Sequence, residues 1–354
     1  MGPLMAPYIH NKEIKIMNII EERRDCIKCD HYETRSIDKS TPPPGTEWTA
    51  IQAAEDNAWR SVCYAQDKGL FVAVASTGDN RIMTSPDGIN WTARQAPENN
   101  TWMSVCYGGG WFVAVGYGNR IIRSQDGINW ESRPVFDAWW RSICYSGSRF
   151  VAISIANSNG SHTTTSVDGF NWVTQPRLPR DNQWMSICCN DSRFIAVAQS
   201  GTGRIISTIN PMTNTINPSW STPSGNGSRQ WQSVCYARNT NILYASPGMF
   251  VAVANNDTNN RVMTSSNGEV WALRGDIEDN AWNSICYARN RRLFVAVASS
   301  GDNRVMTSQN GSSWTMKLAA ENNDWRSVCY AEDKRLFVAV ASSGDNRVMI
   351  LQEQ

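Results

Sequence analysis

Short apolar runs separated by polar turns fill the chain from residue 45 onward. FVAV begins at Phe71, Phe112, Phe250, Phe294 and Phe337, FVAI at Phe150 and FIAV at Phe194. A W-x-S-[VI]-C string precedes each run, at Trp59, Trp102, Trp140, Trp184, Trp231, Trp282 and Trp325, spaced by 43, 38, 44, 47, 51 and 43 residues. An N-R-[IV]-[IM]-type segment follows, then S-x-[DN]-G-x-x-W. Runs with little polar alternation predict strands covered on both faces. Gly, Asp and Asn clusters such as STGDN and SPDG predict the tight turns between them. In the first copy the expected strands are WRSVCYA from Trp59, FVAVAS from Phe71, RIMTS from Arg81 and WTARQ from Trp91.

Four short strands per repeat, in seven copies, predict an all-β, seven-bladed β-propeller of four-stranded antiparallel blades. The ends predict how the ring closes. The seventh copy stops at NRVMILQEQ, and PGTEWTAIQAAEDN (44–57) matches GSSWTMKLAAENND (311–324), so the strand around Trp48 should complete the last blade. That closure removes two open sheet edges. The expected organisation is an N-terminal extension and linker over 1–44 and a propeller over 45–354.

A net charge of +1 with 18% charged residues gives no footprint for nucleic acid, and no apolar run is long enough for membrane insertion. Residues 1–25 do not read as a signal peptide, so a cytoplasmic or virion-associated location is expected. Of ten cysteines, seven share one repeat position, which predicts reduced thiols and not paired ones.

The segments SPDGINW (85–91), SQDGINW (124–130) and SVDGFNW (166–172), with the variants SSNGEVW (265–271) and SQNGSSW (308–314), resemble the Asp-box of sialidase-like (BNR-like) propellers. Here Gly directly follows Asp, one residue short of the usual box, and the fourth copy (207–220) has lost it. The wider pattern resembles repeats of bacterial, phage and large-DNA-virus proteins. The resemblance implies that Asp87, Asp126 and Asp168 cap turns, with Asn267 and Asn310 as weaker equivalents.

A sialidase would need an arginine cluster that breaks the blade symmetry. The arginines that open third strands (Arg81, Arg120, Arg204, Arg261, Arg304 and Arg347, with His162 in the third copy) follow it instead, as do Tyr64, Tyr107, Tyr145, Tyr236, Tyr287 and Tyr330. No catalytic residue, cofactor or metal site is expected. Candidate ligand-binding groups are the repeated Asp-Asn pairs beside a Trp: Asp79, Asn80 and Trp59; Asp302, Asn303 and Trp282; Asp345, Asn346 and Trp325. Carboxamides and carboxylates beside an indole suit sugar hydroxyls, and clustered Asp oxygens suit Ca²⁺. Cys26, Cys29 and His31 form C-x-x-C-x-H with half the usual zinc spacing, and His10 is the conceivable fourth ligand. Repeat breaks at 161–162, 209–219 and 237–249 mark an irregular sector in copies three to five, and Trp111 and Trp139 are the only tryptophans outside the repeat positions. The sequence thus reads as a non-enzymatic scaffold for protein partners, with the virus or phage particle as its setting. The alternatives are a glycan-binding lectin and a degenerate sialidase-like glycosidase.

Overall fold

A computed structural model describes residues 47–209, 220–224, 229–238, 248–256, 261–275 and 277–353. The chain divides into two compact units, Met1–Pro43 and Pro44–Gln354, and the described residues all belong to the second. The Cys26, Cys29, His31 and His10 reading and most of the 209–219 and 237–249 insertions lie outside the described residues.

Among the described residues the regular structure is all strand, apart from one 3₁₀ turn at Arg289–Arg291. In the first copy Trp59–Ala65, Leu70–Ala75, Ile82–Ser85 and Thr92–Arg94 form a four-stranded antiparallel sheet. The W-x-S string starts each first strand with a bulge: Trp59 pairs with Ala75 and Ser61 with Val74, leaving Arg60 as the extra residue. The same shift recurs after Trp102, Trp140, Trp184, Trp231, Trp282 and Trp325. A bulge bends the strand and re-aims one side chain, here the x of W-x-S.

The expectation of seven separate four-stranded blades is corrected. The strands form six hydrogen-bonded sheets, so by sheets the propeller has six blades. Copies two and three share one six-stranded sheet because Trp111–Ser124 and Glu131–Tyr145 run through as single long strands. The 38-residue spacing from Trp102 to Trp140 is the shortest in the chain. Its trimmed loops bring Tyr117 opposite Trp139 and Gly118 opposite Ala138, which bridges sheets that longer loops keep apart. Copy four is three-stranded (Trp184–Cys189, Arg193–Ala198 and Ile205–Ile209). Its sequence lacks the S-x-[DN]-G-x-x-W turn that returns the fourth strand elsewhere, and among the described residues a Ser207–Ser221 bridge stands in that strand's place.

At the chain ends, Thr49–Ile51 pairs with Val348–Gln352, Thr49 opposite Ile350. The W-x-S serines then link every copy to the next. Ser61 Oγ accepts the Val105 N–H (3.1 Å), Ser104 that of Ile143 (3.3 Å) and Ser142 that of Ile187 (3.1 Å). Ser186 accepts from Val234, Ser233 from Ile285, Ser284 from Val328 and Ser327 from Val62. The belt is closed. Apolar clusters fill the spaces between copies: Trp59, Phe71 and Ala73 pack with Leu336, Val338 and Val340, and Val72 and Val74 with Phe112 and Ala114. The seven repeat tryptophans at the first-strand starts are fully buried.

Candidate functional site

Most repeated polar residues are consumed by the fold. Asp87 Oδ1 accepts the backbone N–H groups of Ile89 (2.9 Å) and Asn90 (2.8 Å) and the Ser85 hydroxyl (2.9 Å), while Oδ2 accepts from Asn90 Nδ2 (2.8 Å). Partial burial pushes the Asp87 carboxyl up. The Asn90 backbone and side chain, the Ile89 N–H and Ser85 together outweigh it and hold the carboxyl down at about 2. Asp126 and Asp168 repeat this geometry, and Asn267 and Asn310 accept the equivalent backbone N–H groups.

The repeat arginines bridge loops: Arg81 donates to the Gly78 carbonyl (2.9 Å) and to that of Asn100 (2.8 Å) in the next copy's approach. His162 takes over this role in copy three, its Nε2 lying 2.9 Å from the Asn159 carbonyl, three residues back as Gly78 is from Arg81. Three repeat tyrosines reach the neighbouring copy, Tyr64 to Asp333 (2.8 Å), Tyr107 to Asp67 (2.5 Å) and Tyr330 to Asn290 (2.8 Å), while Tyr145 donates to the Gly147 carbonyl of its own copy. All eight described cysteines are free.

The sequence-predicted ligand residues are split up. Trp59, Trp282 and Trp325 are 0% exposed, so no indole face is open to a sugar ring, and the Trp59 and Trp325 Nε1–H groups donate to the carbonyls of Glu55 and Glu321. Asn80, Asn303 and Asn346 donate their side-chain amides to Glu55 (2.5 Å), Glu278 (2.7 Å) and Glu321 (2.6 Å). Asp79, Asp302 and Asp345 are exposed at the loop tips. Buried rings and engaged carboxamides cannot form the expected stacking site. Among the described residues no group of three or more His, Cys, Asp or Glu converges as metal ligands.

Two non-repeating positions build a different site. The first is the bulged x of W-x-S: Arg60, Met103, Arg141, Met185, Gln232, Asn283 and Arg326. The second follows the residue paired with each repeat tryptophan: Ser76, Tyr117, Ile155, Gln199, Asn255, Ser299 and Ser342. Copies one to four of both positions, with Thr77 and Thr101, line one cavity of about 450 Å³. The W-x-S strands line the axis of a propeller, so this is an axial cup.

Two guanidiniums, those of Arg60 and Arg141, line it, and the charge of Arg326 acts on both. Arg60 Nε donates to Ser76 Oγ (2.8 Å), and Arg326 Nε to Ser342 Oγ (3.0 Å). Arg326 also pairs with Asp324, whose Oδ2 accepts from Ser342 Oγ (2.6 Å). Arg141 makes no hydrogen bond or ion pair among the described residues, although it lines the cavity. Burial, opposed by Tyr117 and reinforced by the like charges of Arg60 and Arg326, pushes Arg141 down to about 10. Burial and then Arg326 lower Arg60, with Asp324 opposing. This is the symmetry-breaking arginine cluster that the repeat arginines failed to provide. Its sequence signal was the variation at the x of W-x-S, hidden inside the most regular string in the chain.

The propeller defined by these sheets is a widely shared architecture. No family model matches the chain, and no curated protein matches it by sequence. Among solved structures it is similar to a streptogramin B lyase, at 11% identity over 86% of this chain and 97% of that one, with a TM-score of 0.67. The virginiamycin B lyase of Staphylococcus aureus gives 11% identity over 87% and 99%, with a TM-score of 0.69. The Cps50 (Swd1) β-propeller domain of Myceliophteria thermophila gives 10% identity over 87% and 100%, with a TM-score of 0.63. At these identities the likeness is one of fold. None of these is sialidase-like, and two are lyases. The expectation that this architecture marks a non-enzymatic scaffold is therefore withdrawn, together with its lectin and virion readings.

Proposed function

We propose that the chain is an enzyme-type propeller acting on an anionic small molecule, with the axial cup as its substrate site. The observation that carries this reading is Arg141, a half-buried cation that faces a cavity and has no protein partner among the described residues. A desolvated guanidinium beside two others is unfavourable unless an anion completes it, and its planar fork suits a carboxylate, sulfate or phosphate. Arg60 is held by Ser76 on the same wall and adds a second positive charge. Tyr117 brings a hydroxyl that makes no hydrogen bond among the described residues, available to donate to the substrate. The cup lies within the usual size range of small-molecule sites, about 300–1,000 Å³. That two proteins of similar fold are lyases, one of them solved with quinupristin, supports a small-molecule substrate over a macromolecular one.

Calorimetric titration with sulfate, of the intact chain and of Arg141→Met, tests the reading. Saturable 1:1 binding that the variant loses is expected; no binding, or equal binding by both proteins, would dispose of it. A mass-spectrometric turnover screen over anionic esters and lactones then separates a substrate site from a simple anion receptor, with Tyr117→Phe as the variant expected to slow turnover.

A further inference from the structure

The lining of the cup mixes apolar groups with its guanidiniums, and those groups specify more than an anion. Met103, of copy two, stands between Arg60 and Arg141 in ring order, Met185 follows Arg141, and Ile155 and the Tyr117 ring share the lining. Thioether and branched aliphatic groups form an apolar surface that adapts to a flat partner. Tyr117 is braced from behind by Trp139, ring centroids 5.6 Å apart and planes at 26°. Trp139 stays 46% exposed, which is unusual for so large a ring held in place by strand pairing.

Neither aromatic belongs to the repeat. Where Tyr117 stands, the other copies have Ser, Ile, Gln or Asn; where Trp139 stands, before the repeat tryptophan, they have Ala58, Thr101, Gln183, Gln230, Ala281 and Asp324. The pair exists because the loops of copies two and three are trimmed and joined, setting Tyr117 opposite Trp139. The trimming that fuses the two copies thus also furnishes the cup with an aromatic wall.

Resting on the reading of the cup as an anion site, we infer that its ligand carries a planar apolar ring joined to the anionic group. The ring lies against Tyr117, backed by Trp139, and over Met103 and Met185, while the anion meets Arg141 and Arg60. Offset stacking and burial of one ring face account for a preference of about tenfold or more over a ringless anion.

Benzenesulfonate and methanesulfonate share a permanently charged headgroup and differ in the ring, so calorimetry with this pair isolates its contribution. The intact chain should bind benzenesulfonate at least about tenfold tighter. Trp139→Ser should shrink that ratio toward unity while leaving methanesulfonate affinity unchanged. Met185→Gln, in another copy and away from the aromatic stack, does the same if Trp139→Ser fails to fold. Arg141→Met should lose both ligands. Equal affinities in the intact chain, or a ratio unmoved in the folded variants, would overturn the ring inference and leave the anion site standing. Failure of the intact chain to bind either sulfonate, or undiminished binding by Arg141→Met, would overturn the anion site and the inference with it. A purely structural Tyr117–Trp139 pair would lower the melting temperature of Trp139→Ser without changing the ratio.

Discussion

Arg141 sits where an arginine is unfavourable for the empty protein. Copies two and four carry methionine at the same bulged position, Met103 and Met185, so the backbone accepts an apolar residue there. Arg141→Met should therefore stabilise the ligand-free chain by about 1–3 kcal/mol, the range expected on removing an uncompensated, partly desolvated charge. Thermal unfolding checks this: the melting temperature should rise as sulfate-induced stabilisation disappears. A residue retained at the expense of stability marks a functional site. Asp87 behaves oppositely. Its carboxyl is held at about 2 in the fold, against about 3.9 in an unfolded chain. That stability is fully present above the unfolded value and is lost as pH falls through the folded one. Asp87→Asn should lose about 1 kcal/mol at pH 7, and its acid-unfolding curve should be flatter between about pH 4 and 2.

At the scale of the strand and loop, the joined loops of copies two and three decide the departure from regular repetition. Gly118, at φ 101°, sits at the register shift between Gly118 and Arg120 where the long strand Trp111–Ser124 changes its pairing, and a side chain there is strained by about 1–3 kcal/mol. Gly118→Val should destabilise the chain by about that amount and loosen the Tyr117–Trp139 pair, read as a shift in tryptophan emission; an unchanged spectrum and melting curve would count against the account. The strands themselves were legible, because FVAV between turn clusters leaves little else for these segments to be. The sharing of a sheet by copies two and three was written only as a 38-residue gap, and its outcome depends on how near the two trimmed loops come. The cup was harder still to read. Repetition draws attention to recurring positions such as Arg81 and Trp59, which build the walls, while the axis is lined by the varying x of W-x-S, and no periodicity shows that a bulge turns that residue inward. The Asp-Asn loops failed as a site for a related reason: the sequence displays Trp59 beside polar residues, and only packing shows that its ring is enclosed and that Glu55 holds Asn80.

Across the whole molecule, closure depends on two devices, both traceable to the repeat. The strand Thr49–Ile51 covers the edge of Val348–Gln352, and the seven serines of W-x-S each accept a backbone N–H from the following copy. Because the belt is closed, removing one serine leaves one backbone N–H without its partner wherever the change is made. Ser61→Ala and Ser186→Ala, on copies one and four, should each lower stability by about 1–3 kcal/mol, measured from chemical-denaturation midpoints; neutral substitutions would show that the belt holds nothing together. The rigid ring is what keeps three arginines from three different copies converged despite their mutual repulsion. That convergence is the centre of the functional account. It is tested most directly by locating selenate through its anomalous scattering in a crystal of the intact chain. The account predicts one strong site in the axial cup, within hydrogen-bond reach of Arg141. Selenate found only at the outer arginines, with the cup holding water, would contradict it.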